Sequence, residues 1–385
     1  MLIFNGVVHP VDAPVIPNGY VELEGGKIKG VGPIEALPKG CEGPSLDVKG
    51  GHIVPGFVDA HCHLGLFGDA LKFEGDDGNE ATNPCTPHVR AIDGVNPLDR
   101  CFQEAREGGV TTVLTGPGSA NPISGQGIVI KTLGAWVDQM VLKAPATMKM
   151  ALGENPKTVY NGRKETPTTR MGTASVIRTE LARALEYMDR QDKADTEAGT
   201  NAPGYDPRLE ALIPVLRGEL PVHIHAHRAD DIATAVRICR EYGLQFVVVH
   251  GTEGYRVTEL LAAEGVGVIT GPILTDRSKP ELAGLTIENP ARLAKAGVEI
   301  AICTDHPVTP IQYLPLCAAI AVRGGLEPEE ALRAITLGGA RLAGVAHRVG
   351  SLTPGKDADV VVTSGHPFDW NGSIRAVFLN GRRVK

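Results

Sequence analysis

The chain of 385 residues is 42% hydrophobic and 22% charged, which allows a large core and argues against long disorder. Its net charge of −7 comes without a basic cluster, so neither a nucleic-acid partner nor an anionic membrane surface is expected. Seven cysteines without a CxxC pair, an N-terminus (MLIFNGVVHPVD) unlike a signal peptide and no run of ~18 apolar residues point to a cytoplasmic protein with reduced thiols.

Residues 1 to about 50 read as short strands broken by turns, and the alternation in YVELEGGKIKGV suits a hairpin bent at its GlyGly. Eight short apolar strands follow, at 53–61, 110–116, 127–132, 147–153, 221–227, 245–251, 266–271 and 298–305. Helical stretches separate them, clearest where Ile177, Leu181, Leu185 and Met188 recur one turn apart. The polar run at 191–208 is expected to be a surface loop. Repeated strand-then-helix units predict a parallel sheet, and eight of them predict closure into a (β/α)8 barrel. No GxGxxG or GxxxxGK follows an early strand, which weakens an open nucleotide-binding sheet. The C-terminal ADVVVTSG and RAVFLNGRRV return to short-strand texture. The expected organisation is a small β-sandwich domain from residues 1–52 and 350–385 around a barrel spanning 53–349.

Chemistry concentrates where these strands end, the rim on which barrel active sites are built. The first strand ends in AspAlaHisCysHis, and His61 and His63, two apart in extended chain, project to one side. An isolated HxH is more often a hydrogen-bonded pair than a ligand pair. The fifth strand adds His223, His225 and His227 on one face, where packing alone is a poor explanation because each buried imidazole needs partners. The sixth ends in His250 and the eighth in Thr304, Asp305 and His306. On the fourth strand, apolar Met148, Met150 and Leu152 would face the helices, turning Lys149 inward. A lysine there is costly unless paired or chemically changed. Arg170, after the fourth strand, could clamp a substrate carboxylate, although a lone arginine is usually a surface residue.

The run GGHIVPGFVDAHCH resembles the first-strand motif of the amidohydrolase superfamily, and GVTTVLTG its second strand. HAHRADDIATAV is similar to the fifth-strand region of the imidazolonepropionase-like and prolidase-like branch, VVVHGTE to the sixth strand and CTDHP to the eighth. VGSLTPGKDADVVV looks like the return to the small sheet domain, so the likeness runs from about residue 3 to 384. The resemblance implies a hydrolase of C–N bonds in amides, cyclic amides or dipeptide-like molecules, with one or two divalent ions, usually zinc. It implies His61, His63, His225, His250 and Asp305 as metal ligands, with either Lys149, carboxylated, or Glu154 as the bridge. Asp305 would also move the proton from the attacking water to the leaving nitrogen. His227 or His306 would hold the carbonyl oxygen, and Asp59, Thr304 and Thr252 are candidates to orient the imidazoles. A deaminase of the same superfamily stays open through Glu253, three residues past His250. A non-catalytic barrel serving as a binding or assembly module is disfavoured, because none of the expected ligands is missing. The expected partners are a small-molecule substrate and further copies of the chain in a homo-oligomer.

Overall fold

The computed structural model describes residues 1–37, 43–69, 71–197 and 201–385, whose hydrogen bonds build two eight-stranded sheets. The chain opens with β1 (Leu2–Val8), β2 (Ile16–Glu24), β3 (Lys27–Pro33), β4 (Ser45–Asp47) and β5 (His52–Pro55). The second sheet then runs through β6 (Phe57–Cys62), β7 (Val110–Thr115), β8 (Ile123–Lys131), β9 (Val141–Ala151), β10 (Val222–Ala226), β11 (Phe246–His250), β12 (Gly267–Thr270) and β13 (Ile300–Ile302). Finally β14 (Val360–Thr363), β15 (Ile374–Leu379) and β16 (Arg382–Arg383) rejoin the first sheet, where β5 lies between β14 and β1. This sheet of both termini has its own core of Ile3, Val21, Ile28, Ile53, Val360 and Phe378. The predicted hairpin is β2–β3, with Glu24 opposite Lys27.

The second sheet is the expected α/β barrel, with two departures. The stretch predicted as one strand at 53–61 is two strands in different sheets, broken at Gly56. A Cβ at Gly56 would lie 2.1 Å from Thr111 Oγ1, so only glycine lets the chain pass there. The third strand, β8, pairs antiparallel with both β7 and β9. The reason is length: a parallel return needs a crossover of a dozen or more residues, and only 116–122 connect β7 to β8. The remaining neighbours from β9 to β13, and β6 with β7, are parallel.

The barrel closes beyond the ends of β13 and β6. Asp305 N–H donates to His61 O at 3.2 Å, and His63 N–H to His306 O at 2.9 Å. Asp59, fully buried, accepts from Thr304 Oγ1 (2.6 Å), Thr304 N–H (3.1 Å) and His61 N–H (3.1 Å). Burial raises its carboxyl to about 7 even though those donors pull it down.

Outside the barrel, the helix Arg170–Thr196 buries Ile177, Leu181, Ala184 and Tyr187, whereas Leu185 of the predicted stripe is exposed. The same helix absorbs the first part of the run expected to be a loop at 191–208, and residues 198–200 lie outside the described residues. Among the described residues, six cysteines are free and buried, and no helix is long and apolar enough to cross a membrane. Cys41 lies outside them.

Candidate metal centre

Strand alternation explains part of the rim, and local breaks in it explain the rest. His223, His225 and Lys149 share the inner face, since β10 pairs His223 with Lys149, while Met148 and Met150 pack into the outer core. In β11, Val247 and Val249 belong to the inner cluster, so strict alternation would turn His250 away. His250 instead takes a left-handed φ of +72°, which returns its ring to the barrel mouth. Asp305 has φ +54°, and a register shift between Asp59 and Cys62 re-aims the end of β6. Such conformations concentrate at functional sites.

The result is a continuous group of five imidazoles and two carboxylates. His61 Nε2 and His63 Nε2 each lie 3.2 Å from Asp305 Oδ1, and Lys149 Nζ lies 3.3 Å from His61 Nε2. His250 is the hinge: its ring centroid is 5.2 Å from His61, 4.5 Å from His225 and 4.5 Å from His227, stacked on the last. Two triads, His61–His250–Asp305 and His225–His227–His250, each bring ligand atoms within 4.8 Å of one another. They share His250.

The outer hydrogen bonds fix which nitrogen is free. His63 Nδ1–H donates to Gly116 O and His250 Nδ1–H to Gly271 O, both at 2.7 Å. A carbonyl only accepts, so both rings keep the Nε2 lone pair for the cavity. His225 Nδ1 lies 2.9 Å from Ser119 Oγ, and His227 Nδ1 2.7 Å from Thr252 Oγ1. The GlyProGlySer turn after the second strand therefore orients two rings, through Gly116 and Ser119. Burial lowers His61 to about 3, His227 to about 4, and His225 and His250 well below the ordinary imidazole value. All four are neutral near pH 7, the form that ligates a cation. Burial lowers Lys149 to about 8, with Asp305 opposing. Burial alone would raise Asp305, but His250, His61 and His63 outweigh it and hold the carboxyl well below its usual range.

Among the described residues, His225 Nε2 and Glu281 Oε1 are buried here without a hydrogen-bond partner. They lie 3.6 Å apart, and His227 Nε2 is 3.7 Å from the same Glu281 oxygen. Orphaned buried polar atoms cost stability unless something satisfies them. Two nitrogens and a carboxylate oxygen converging on one space fit a divalent cation. Glu281 has no signal in the sequence, since a glutamate in a proline-containing loop reads as surface. In the fold its other oxygen accepts the Glu154 N–H at 3.0 Å, and a Cβ at Gly153 would lie 2.7 Å from that oxygen.

Four residues singled out from sequence sit elsewhere. Glu154 Oε2 accepts the Glu281 N–H at 3.2 Å, so Glu154 braces Glu281 and lies outside both triads. Arg170 Nε lies 3.1 Å from both oxygens of the buried Asp231, and the cavity wall does not include it. His306 accepts the Ile311 N–H on Nδ1 at 3.2 Å, which makes it a brace of its own loop, also outside the cavity wall. Glu253 accepts the Ala229 N–H at the start of the helix Ala229–Glu241. His227, expected to touch substrate, joins the ligand triad with His225 and His250.

The cavity over this group measures about 560 Å³ and is lined by His63, His225, His227, Asp305, Ser119 and Lys279 among others. A larger cleft of about 920 Å³ on the outer helices, with Arg292, Glu299 and Arg333 in its wall, holds none of the strand-end histidines.

Two ligand triads that share His250, one of three imidazoles and one that includes the half-buried Asp305, at the carboxyl rim of an α/β barrel mark a hydrolase suited to divalent metal. The chain belongs to the amidohydrolase family, whose model matches residues 52–384, and it is an enzyme acting on C–N bonds. It is 45% identical to an amidohydrolase from Thermotoga maritima MSB8 of known structure, with a TM-score of 0.95 over 100% of this chain and 99% of that one. It is 31% identical to amidohydrolase tasK of Hapsidospora irregularis over 87% of this chain, which spans 36% of that longer protein. It is 26% identical to an imidazolonepropionase from Geobacillus kaustophilus, over 91% of this chain and 85% of that protein.

Proposed function

We propose that this protein hydrolyses an amide or cyclic amide of a small carboxylate-bearing molecule, using one or two divalent ions, zinc by preference. Supporting zinc is the nitrogen-rich donor set of His61, His225, His227 and His250, with His63 beside it at Asp305, and few oxygens. The relatives called imidazolonepropionase favour a cyclic amide, while Glu253, spent on a helix start, adds nothing of its own to the deaminase reading. The single observation that carries the proposal is the position of Asp305, whose Oδ1 stands 3.2 Å from both first-strand imidazoles at the floor of the cavity.

When bound, the ions acidify a water and polarise the scissile carbonyl. Among the described residues, Asp305 is the one acid that touches the first-strand ligands and also faces the cavity. It takes the proton of the attacking water and returns it to the leaving nitrogen. Gly116 and Gly271 hold the His63 and His250 rings so that neither needs to reorient. Lys149, buried and depressed to about 8, has enough neutral amine near pH 8 to add to carbon dioxide. The carbamate would form as the amine nitrogen bonds the carbon and a proton leaves to solvent, and this would give Lys149 a carboxylate with which to hold the ions. Lysine rather than Glu154 fills that role here, because the Glu154 carboxylate is held by the Glu281 backbone.

The test is elemental analysis of the purified protein alongside hydrolysis of N-acyl amino acids, dipeptides and cyclic amides. Between one and two rim ions and turnover of one of these classes are expected. Metal-free protein whose activity no divalent ion raises would sink the proposal.

A further inference from the structure

Nine residues upstream of His61, at the other end of the nearly continuous extended segment β5–β6, a second histidine group gathers. Nine extended residues span up to ~30 Å, and none of the group's members joins a rim triad or lines the rim cavity, so it is separate from the rim. Its members are far apart in sequence: His9 just past β1, His52 at the start of β5, His366 after β14, and Glu329 in the helix Pro328–Ala334. His9 is 2% exposed. Its Nδ1 lies 3.1 and 3.3 Å from the two Glu329 oxygens, and its Nε2 lies 2.8 Å from His52 Nδ1. The His366 ring stands edge-on to both other imidazoles, at 5.6 and 5.7 Å. Candidate ligand atoms of His9, Glu329 and His366 all lie within 4.8 Å of one another.

We infer that this group is a second divalent-metal site of the zinc class, with His9, Glu329 and His366 as ligands. Three observations carry it. His366 Nε2 is buried without any partner, as an atom awaiting a ligand would be. The 3.1–3.3 Å between His9 Nδ1 and the Glu329 oxygens matches the roughly 3.3 Å between neighbouring ligand atoms around tetrahedral zinc. His52 completes the pattern, because His9 binding through Nδ1 carries its proton on Nε2 and donates it to His52 Nδ1, the outer partner that ligating histidines have. Coordination by His366 Nε2 moves that ring's proton to Nδ1, in exchange for the 3.2 Å contact from the Phe368 N–H. Glu329 is 54% exposed and opens the site to solvent. An ion here ties β1 and the segment after β14 to a barrel helix, so its role is to clamp the terminal sheet to the barrel.

The test titrates chelator-treated full-length protein with Zn²⁺ against a chromophoric competitor, comparing wild type with His366→Ala and Glu329→Gln. Wild type should bind one equivalent more than His366→Ala, and Glu329→Gln should bind that equivalent at least tenfold more weakly. Both variants should keep wild-type turnover, and both should lose the rise in Tm that Zn²⁺ gives the wild type. Glu329 is exposed, so its variant folds even where His366→Ala does not. Equal stoichiometry and affinity in wild type and Glu329→Gln would overturn the inference and leave an ion-free hydrogen-bonded network.

Discussion

The two histidine groups differ in what holds their rings. At the rim, His63 and His250 are pinned by backbone carbonyls of neighbouring turns, so their orientation is set by the barrel itself. Below the barrel, His9 leans on a half-exposed side chain, Glu329, and on another imidazole, His52. A rim ion would therefore meet donors already aimed, and its bonds would serve the chemistry. An ion in the lower group would itself hold together segments from both termini and a helix, so its bonds serve the fold. Rim variants should move turnover with little change in Tm, and lower-group variants the reverse.

The largest effect should come from Asp305→Asn. Asparagine keeps the shape and one acceptor oxygen but cannot take a proton at neutral pH. Turnover should fall by at least ~10² while metal content stays close to wild type. Measuring both on one sample separates proton transfer from ligation: if metal and rate fall together, Asp305 is chiefly a ligand. A smaller loss is expected for Lys149→Ala, which should give up one rim ion and about ten- to a hundredfold in rate, partly restored by short carboxylic acids. Glu154→Gln should leave the ion in place. The opposite pattern would make the glutamate the bridge.

Most of this site was legible because its logic is local. The HxH of β6, the alternation around Lys149 and the strand ends at His250 and Asp305 each sit within a few residues of an apolar run. The eight strands were legible for the same reason, but the direction of β8 was not, since only the length of the 116–122 connection encodes it. Glu281 was hidden because it reaches the rim from a loop with no periodicity. Arg170 and His306 misled in the opposite way: both are close to the rim in sequence, yet Asp231 and the Ile311 N–H claim them. The lower group could not be read at all, because its members span residues 9 to 366 and meet only through the pairing of β1, β5 and β14.

The smallest effect concerns the cation that meets a substrate carboxylate. Arg170 was the candidate from sequence, but the structure turns it to Asp231, which is buried and would be left without its cation in Arg170→Ala. That variant should lose stability, by about 1–3 kcal/mol for a buried acceptor stripped of its donor, with KM changed less than about twofold. Lys279 lies in the cavity wall instead, its Nζ 3.3 Å from Asn155 Oδ1 and free to swing toward a ligand. It is exposed, so solvent screens the interaction to about 1 kcal/mol. Lys279→Ala should accordingly raise KM about fivefold for a carboxylate-bearing substrate, with kcat held. An uncharged amide of the same substrate should show no such change. If Arg170→Ala raises KM and Lys279→Ala does not, the guanidinium leaves Asp231 on substrate binding, and the rim's specificity reaches further down the barrel wall than the cavity described above.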